Sequence, residues 1–291
     1  MIKFIIISRH KPGWTRERFF YEWAFIHVSL MLHTAPSMQR FRRYVQHYAN
    51  PDIPDELRVL RGPAMGWESY AEHWTDKLET TTPGPDYTEQ MQPHSFSDSA
   101  MEIAYLQGET RFRRADFCSG GVKVIHRLAK QAGRSDADMV GQWRERHAPR
   151  VLALLADRGL RKYELNLPCV IDVAEFRGNR AGTLFERASI DPPLGMEELW
   201  FDGLEDALRL GSDPELRTEL SNSYGGFVDL EKSYSLIAHE RVVYDFVTPG
   251  EQTPQSAVLN PDSLEARVFK TGRPYHEPKF EGSSGRDGAA P

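Results

Sequence analysis

The sequence contains one pattern twice, as TRERFFYEWAFIHVSLMLHTA at residues 15–35 and as SDADMVGQWRERHAPRVLALL at residues 135–155. In each copy a tryptophan is followed four residues later by a histidine, and the copies stand 120 positions apart. The two pairs are Trp23 with His27 and Trp143 with His147. Apolar residues recur at helical spacing in both stretches, so we expect two amphipathic helices that press a Trp and a His against a sheet.

The similarity continues beyond the helices. A strand precedes each one, Lys3 to Arg9 and Lys123 to Leu128. The later matches are Tyr44 with Tyr163, Glu72 with Glu198 and Trp74 with Trp200. Self-similarity of this kind predicts a repeated unit with the order strand, helix, strand, strand, helix, strand.

These matches predict the organisation of the chain. We expect a first repeat at residues 1–112 and a second at residues 118–247. The second carries an insertion at about 167–195, rich in charge, Gly and Pro, which we expect to lie over a pocket mouth as a loop or an extra hairpin. Residues 248–291 form a C-terminal extension, predicted to be disordered from about residue 281.

Composition excludes several function classes. The chain has 291 residues, 40% of them apolar, and a net charge of −6, which does not favour binding to nucleic acid. No run of about 18 apolar residues predicts a membrane helix, and the apolar start is a first strand rather than a signal peptide. We therefore expect a cytoplasmic protein with no membrane partner, for which a homodimer is possible.

Several short motifs together resemble the EthD family of the dimeric α+β barrel superfamily. They are Lys11-Pro12-Gly13, Trp23-x-x-x-His27, Arg43-Tyr44-Val45-Gln46 and Glu198-Leu199-Trp200-Phe201-Asp202. The resemblance implies an α+β fold of two ferredoxin-like βαββαβ repeats, whose antiparallel sheets pack into an intrachain α+β barrel. It also implies small hydrophobic pockets between sheet and helices. Members of the superfamily include decarboxylases, dehydratases, isomerases, cofactor-free oxygenases and haem enzymes, so fold alone does not settle function.

Four residues are candidates for catalysis: His27, Tyr44, His47 and His147. A histidine held against apolar walls stays neutral near pH 7 and can act as a base, although a structural role is the alternative. Tyr44 could donate its hydroxyl to a developing oxyanion. His47 lies three residues beyond Tyr44 and points to the opposite face, so the two share a site only if a bulge intervenes.

A second set of residues could bind substrate. It comprises Arg9, His10, Trp23, Arg43, Glu72, Trp74, Trp143 and Tyr163. The aromatic members favour a flat, apolar ligand, and the charged members could balance an acidic group or simply be solvated. The histidines lack the spacing of a metal site, so we expect no metal and no cofactor.

These residues lead to one main hypothesis and two alternatives. The main hypothesis is a cofactor-independent lyase, a decarboxylase or dehydratase acting on a small aromatic or phenolic acid, as in the catabolism of aromatic compounds. The first alternative is a cofactor-free monooxygenase or isomerase on the same scaffold. The second is a non-catalytic accessory protein that binds a hydrophobic metabolite.

Overall fold

The chain folds around one closed barrel of antiparallel strands. The structure is a computed structural model, and it describes residues 1–33, 41–51, 53, 57–78, 96–190 and 193–247. Within these residues, eight strands pair side by side and the last pairing closes the ring. The expectation of an α+β barrel within one chain is confirmed at this level. The predicted C-terminal extension at 248–291, with its disorder from about residue 281, lies outside the described residues.

The strands follow each other around the barrel in an order that is the same in both halves of the chain. They are β1 (Ile2–Ser8), β2 (Arg43–Ala49), β3 (Ser69–Thr75), β4 (Glu102–Arg113), β5 (Gly121–Lys130), β6 (Leu160–Pro168), β7 (Gly195–Phe201) and β8 (Val228–Asp245). The first four lie in the order β4-β1-β3-β2 and the last four in the order β8-β5-β7-β6. Pairs β2–β8 and β4–β6 join the halves. That the halves are ferredoxin-like repeats stays a prediction.

Two long helices cover the outside of the barrel. Helix α1 spans residues 16–33 and α2 spans residues 136–155. The hydroxyls of Thr15 and Ser135 accept hydrogen bonds from backbone amides of the first turns, as expected for N-caps. In both helices the Trp-x-x-x-His segment is π-helical, Glu22–His27 in α1 and Trp143–His147 in α2.

The insertion in the second half forms helices rather than a loop or hairpin. Helix α3 (Val173–Gly178) is followed by a 3-10 turn, Leu184–Arg187. Asp172 caps α3 by accepting from the amide of Glu175. The insertion packs on the first half of the barrel, where Phe176 and Phe185 share a core cluster with Phe4. Helices α4 (Leu204–Ser212) and α5 (Pro214–Ser223) follow β7 and precede β8.

The barrel interior has an apolar part and, next to it along the barrel, a part lined by charged side chains. Strand β1 illustrates both parts, since Ile5 and Ile7 enter the interior apolar cluster and Lys3 binds Glu198 at 2.8 Å. We call the charged part the buried ion cluster. It consists of Lys3, His47, Glu72, Lys123, Lys162, Glu164, Glu198 and Glu240, none of them more than 8% exposed. Burial alone opposes the charge of Lys3, but its carboxylate neighbours outweigh this and raise its pKa.

Candidate active site

A cavity lies between helix α1 and the outer face of the first-half sheet. It encloses about 540 Å³, its open mouth included, and its walls are mostly apolar. Apolar lining comes from Ile6, Ala71, Phe96, Met101, Leu184 and Phe185, and polar groups come from Ser8, Trp23, His27, Tyr44, Ser69, His73 and Ser97. We call this cavity the first pocket. It brings together the predicted site residues Trp23, His27 and Tyr44.

The local structure of α1 explains how Trp23 and His27 reach one cavity. Residues four apart lie on the same side of an α-helix, and the π-helical segment keeps Trp23 and His27 on one side. Trp23 is buried against Phe19 and Tyr48, while His27 is partly buried and contacts the ring of Phe96. The segment therefore directs one aromatic wall and one imidazole at the sheet.

Both histidines of the first pocket are neutral. Burial lowers the pKa of His27 to about 3, and the nearby His73 contributes to the shift. Burial likewise lowers the pKa of His73 to about 4. His73 stacks on the ring of Tyr44 at 4.5 Å between centroids. Its Nδ1 is buried and has no hydrogen-bond partner within the described part of the chain.

Tyr44 keeps its proton and is held in place by its neighbours. Burial raises the pKa of its phenol, so the hydroxyl remains protonated. Its oxygen accepts a hydrogen bond from Gln46 Nε2 at 2.9 Å, and the Trp23 side chain is within hydrogen-bond reach. Gln46 is fixed in turn by the backbone carbonyl of Trp23, at 3.0 Å. Tyr44 is thereby oriented as a donor at the cavity wall.

The predicted residues of the second half surround a carboxylate instead of a cavity. Glu197 Oε1 accepts from Trp143 Nε1 at 2.8 Å and from the Tyr163 hydroxyl at 2.5 Å. His147 Nε2 lies 2.8 Å from the same oxygen, and Tyr224 donates to Oε2 at 2.5 Å. All five side chains are fully or almost fully buried. We call this arrangement the filled site.

The structure places His47, Glu72 and Trp74 away from the first pocket, on the inner side of the sheet. His47 Nδ1 bonds the backbone carbonyl of Tyr70 at 2.9 Å and belongs to the buried ion cluster. Trp74 donates to Glu72 at 2.9 Å. A register shift does occur beside Tyr44, in its pairing with β8, but it does not bring His47 to the outer face. Tyr44 and His47 therefore do not share a site.

The three polar candidates at the strand ends contact carboxylates outside the first pocket. Arg9 bonds Asp98 at 3.0 Å, with 42% of its side chain exposed. His10 Nδ1 lies 2.8 Å from Glu68, and Arg43 lies 3.1 Å from Asp245. None of the three lines the cavity. Their partners within the chain explain their positions.

Two features of the site were missed by sequence reasoning. His73 was not among the candidate residues, yet it lines the first pocket. Glu197 was not singled out, although two adjacent glutamates in a buried strand must point to opposite faces, so each needs its own partners. Among the described residues, no group of three or more His, Cys, Asp or Glu side chains could hold a metal ion. No helix in the described ranges is long and apolar enough to cross a membrane.

One family model matches part of the chain. Residues 131–231 match the family model of the EthD domain. For the first half, the resemblance to this family stays a prediction. No curated protein matches the chain.

The chain is also similar to solved structures. An anthrone oxidase-like protein is 10% identical with a TM-score of 0.54, the match covering 86% of this chain and 96% of that one. A candidate monooxygenase from Lactobacillus acidophilus NCFM is 9% identical with a TM-score of 0.42, covering 83% and 98%. Another from Fusobacterium nucleatum is 8% identical with a TM-score of 0.45, covering 87% and 96%. Identities this low establish a shared fold and no more.

The prediction of a lyase is contradicted by these comparisons. The structure that shares the fold is named for an anthrone oxidase-like protein, and that name describes neither a decarboxylase nor a dehydratase. The expectation was drawn from the range of chemistries in the superfamily, and no residue of the chain distinguished a lyase from an oxygenase.

Proposed function

We propose that the protein is a cofactor-independent oxygenase that acts on a small aromatic compound with an acidic C–H bond in the first pocket. The observation that carries this proposal is a pair of neutral histidines, His27 and His73, beside a protonated Tyr44 in a mostly apolar cavity. The name of the anthrone oxidase-like structure supports the same chemistry. Such a substrate can supply all the electrons that reaction with oxygen requires.

His27 is the proposed base. An imidazole with a lowered pKa is free to accept a proton at any pH near 7. The low pKa makes it a weak base in the empty pocket, but removal of the substrate proton creates an anion beside the new imidazolium. The attraction of that anion raises the pKa of His27 and makes the transfer more favourable. Tyr44 is placed to donate its hydroxyl to the oxygen on which the negative charge develops.

The overall reaction balances without a cofactor. A substrate whose reactive carbon is a methylene group gives the corresponding ketone and water with one molecule of oxygen. One oxygen atom enters the substrate and the other leaves as water with the two hydrogens of the methylene group. Four electrons pass from the substrate carbon to the oxygen molecule. The first proton leaves through His27, which returns it to the departing oxygen.

The walls of the pocket suit these reactants. Trp23, Phe96 and Phe185 form flat apolar surfaces, which favour an aromatic ligand and exclude water from the reactive anion. Leu184 and Phe185 come from the insertion in the second half, so that half contributes the cover of the first-half cavity.

We also propose that the chain is a duplication of one ferredoxin-like unit, with copies at residues 1–112 and 118–247. Two observations support this proposal. The strand order is the same in the two halves, and both covering helices have a π-helical Trp-x-x-x-His segment. The two copies have different roles in this proposal. In the first, the Trp, His and Tyr line a cavity, whereas in the second they contact Glu197.

Oxygen consumption tests the proposed function. Purified protein, dialysed against a chelator, is given an enolisable aromatic ketone such as anthrone in an oxygen electrode, and the uncatalysed rate is subtracted. We expect one oxygen molecule consumed per ketone oxidised. His27→Asn should lower kcat/KM at least about 100-fold, the contribution of a general base. His239→Asn, at an exposed position on β8, is the matched control and should keep full activity.

Two results would refute the proposal. Turnover without oxygen uptake would indicate an isomerase, which uses the same base but no oxidant. Binding with the ligand returned unchanged would indicate an accessory protein.

A further inference from the structure

The filled site and the first pocket are built from the same residue types. In the filled site, Trp143, His147 and Tyr163 all contact one oxygen of Glu197. In both places the tryptophan and the tyrosine are also within hydrogen-bond reach of each other. The two sets therefore have the same local arrangement.

Strand pairing shows that the two sets occupy matching places. Tyr44 in β2 lies opposite His73 in β3. Tyr163 in β6 lies opposite Leu199 in β7. Two positions before His73, on the same outer face of β3, lies Ala71. Two positions before Leu199, on the same face of β7, lies Glu197.

A small residue in one strand and a long acid in the other explain the difference between the sites. Ala71 lines the first pocket and leaves its centre open. Glu197 extends into the corresponding space. It does so as a carboxylate, since the nearby His147 and the hydrogen bond from Tyr163 outweigh the effect of burial and lower the pKa of Glu197 to about 2. These donors thus hold an ionised oxygen in a buried site.

We infer that the first pocket binds the ionised oxygen of an acidic aromatic ligand, in the place that Glu197 fills in the second half. Trp23, His27 and Tyr44 then take the parts of Trp143, His147 and Tyr163. The inference deepens the proposed function, on which it rests for the choice of site, by naming the ligand as an enolate, phenolate or carboxylate.

His73 gives independent support. It is only 4% exposed and lines the first pocket. Its Nδ1 makes no hydrogen bond of good geometry with the described residues, although the backbone of Phe4 lies close enough to the ring to oppose the lowering of its pKa by burial. A buried ring nitrogen without a partner is costly, and a bound ligand would satisfy it. Leu199, at the matching place in the filled site, has no such need.

Ligand binding without turnover tests the inference. Benzoate is the carboxylate probe, 4-nitrophenolate the phenolate probe and benzamide the uncharged control, each titrated into the full chain by calorimetry. We expect one site per chain and at least about tenfold tighter binding of an anion than of benzamide. The anion that binds better identifies the oxygen type. Equal affinity for the anions and benzamide would overturn the inference.

Two variants locate the site. Ala71→Glu should reproduce the filled site in the first half and lower the affinity for the preferred anion at least about tenfold, with folding checked by thermal melting. Glu197→Ala should open a second site and raise the stoichiometry from one to two. Unchanged binding by folded Ala71→Glu, or one site in folded Glu197→Ala, would overturn the inference. If Ala71→Glu does not fold, two results still test the inference. They are the stoichiometry of Glu197→Ala and the affinity of the unaltered protein for the anions compared with its affinity for benzamide.

The outcomes for the two proposals are separable. Anion binding without oxygen uptake would refute the oxygenase and leave the inference standing. Oxygen uptake without a preference for anions would support the oxygenase and overturn the inference.

Discussion

Lys123→Met tests how the barrel is stabilised, because it removes one cation from the buried ion cluster. Lys123 Nζ lies 3.0 Å from Glu198 and 3.6 Å from Glu240, and it also bonds Glu72. The side chain is fully buried, and these three carboxylates raise its pKa against the effect of burial. Methionine has a similar length and no charge.

The expected loss of stability follows from the stranded carboxylates. Removing one partner of a buried ion pair costs about 3–5 kcal/mol, which at about 2–4 °C per kcal/mol lowers the unfolding midpoint by about 6–20 °C. Without Lys123, protonation of Glu72 and Glu198 becomes more favourable, so their pKa values rise. The loss of stability should therefore be greatest at pH 7 and shrink as the pH falls towards 4.

Thermal and urea unfolding followed by circular dichroism measure this effect. Lys232→Met is the matched control, because its ion pair with Asp229, at 3.1 Å, is solvent-exposed and 74% of its side chain is accessible. We expect the control to lose less than about 1 kcal/mol. A loss of the same size for Lys123→Met would refute the view that Lys123 balances the charge of the buried carboxylates.

Four further predictions concern the buried histidines, including His126 in β5, and the first pocket. The folded-state pKa values of His27, His73 and His126 are lowered to about 3, 4 and 4, so the unfolded chain binds protons that the folded chain does not. Urea unfolding should show stability falling below pH 6.5, by about 2 kcal/mol per histidine between pH 6.5 and 5. In the oxygen electrode, kcat/KM should not fall through a pKa near 6.5 as the pH is lowered to 5, since His27 stays neutral; a fall centred there would contradict its role. His73→Phe keeps the stack on Tyr44 and should lower ligand affinity without lowering the melting temperature. Phe185→Ala should open the pocket mouth and lower KM for larger ketones relative to small ones, measured by steady-state kinetics.

Local patterns were enough to predict the covering helices and part of the site. The N-caps Thr15 and Ser135 and the spacing of Trp23 and His27 are properties of a few consecutive residues, which is why the sequence reveals them. The strand carrying Tyr44 was predicted for the same reason. These elements place three of the candidate residues around one cavity.

Contacts between distant parts of the chain could not be predicted in this way. Lys3 and Glu198 are 195 positions apart in the sequence, so the residues that neighbour Lys3 in the sequence do not indicate a buried ion cluster. Alternation along β2 separates His47 from Tyr44, but in a strand buried on both faces it does not say which face is the barrel interior, so the sequence could not place His47 inside the barrel. The insertion covers the opposite half, a placement that only the closed barrel defines.

A crystal structure with a bound, unreactive aromatic carboxylate such as benzoate would show whether the first pocket is the ligand site. We expect the ring between Trp23, Phe96 and Phe185, with a carboxylate oxygen in hydrogen-bond contact with Tyr44 and His27. A ligand bound only elsewhere, for example beside the buried ion cluster, with the first pocket unoccupied, would contradict this expectation.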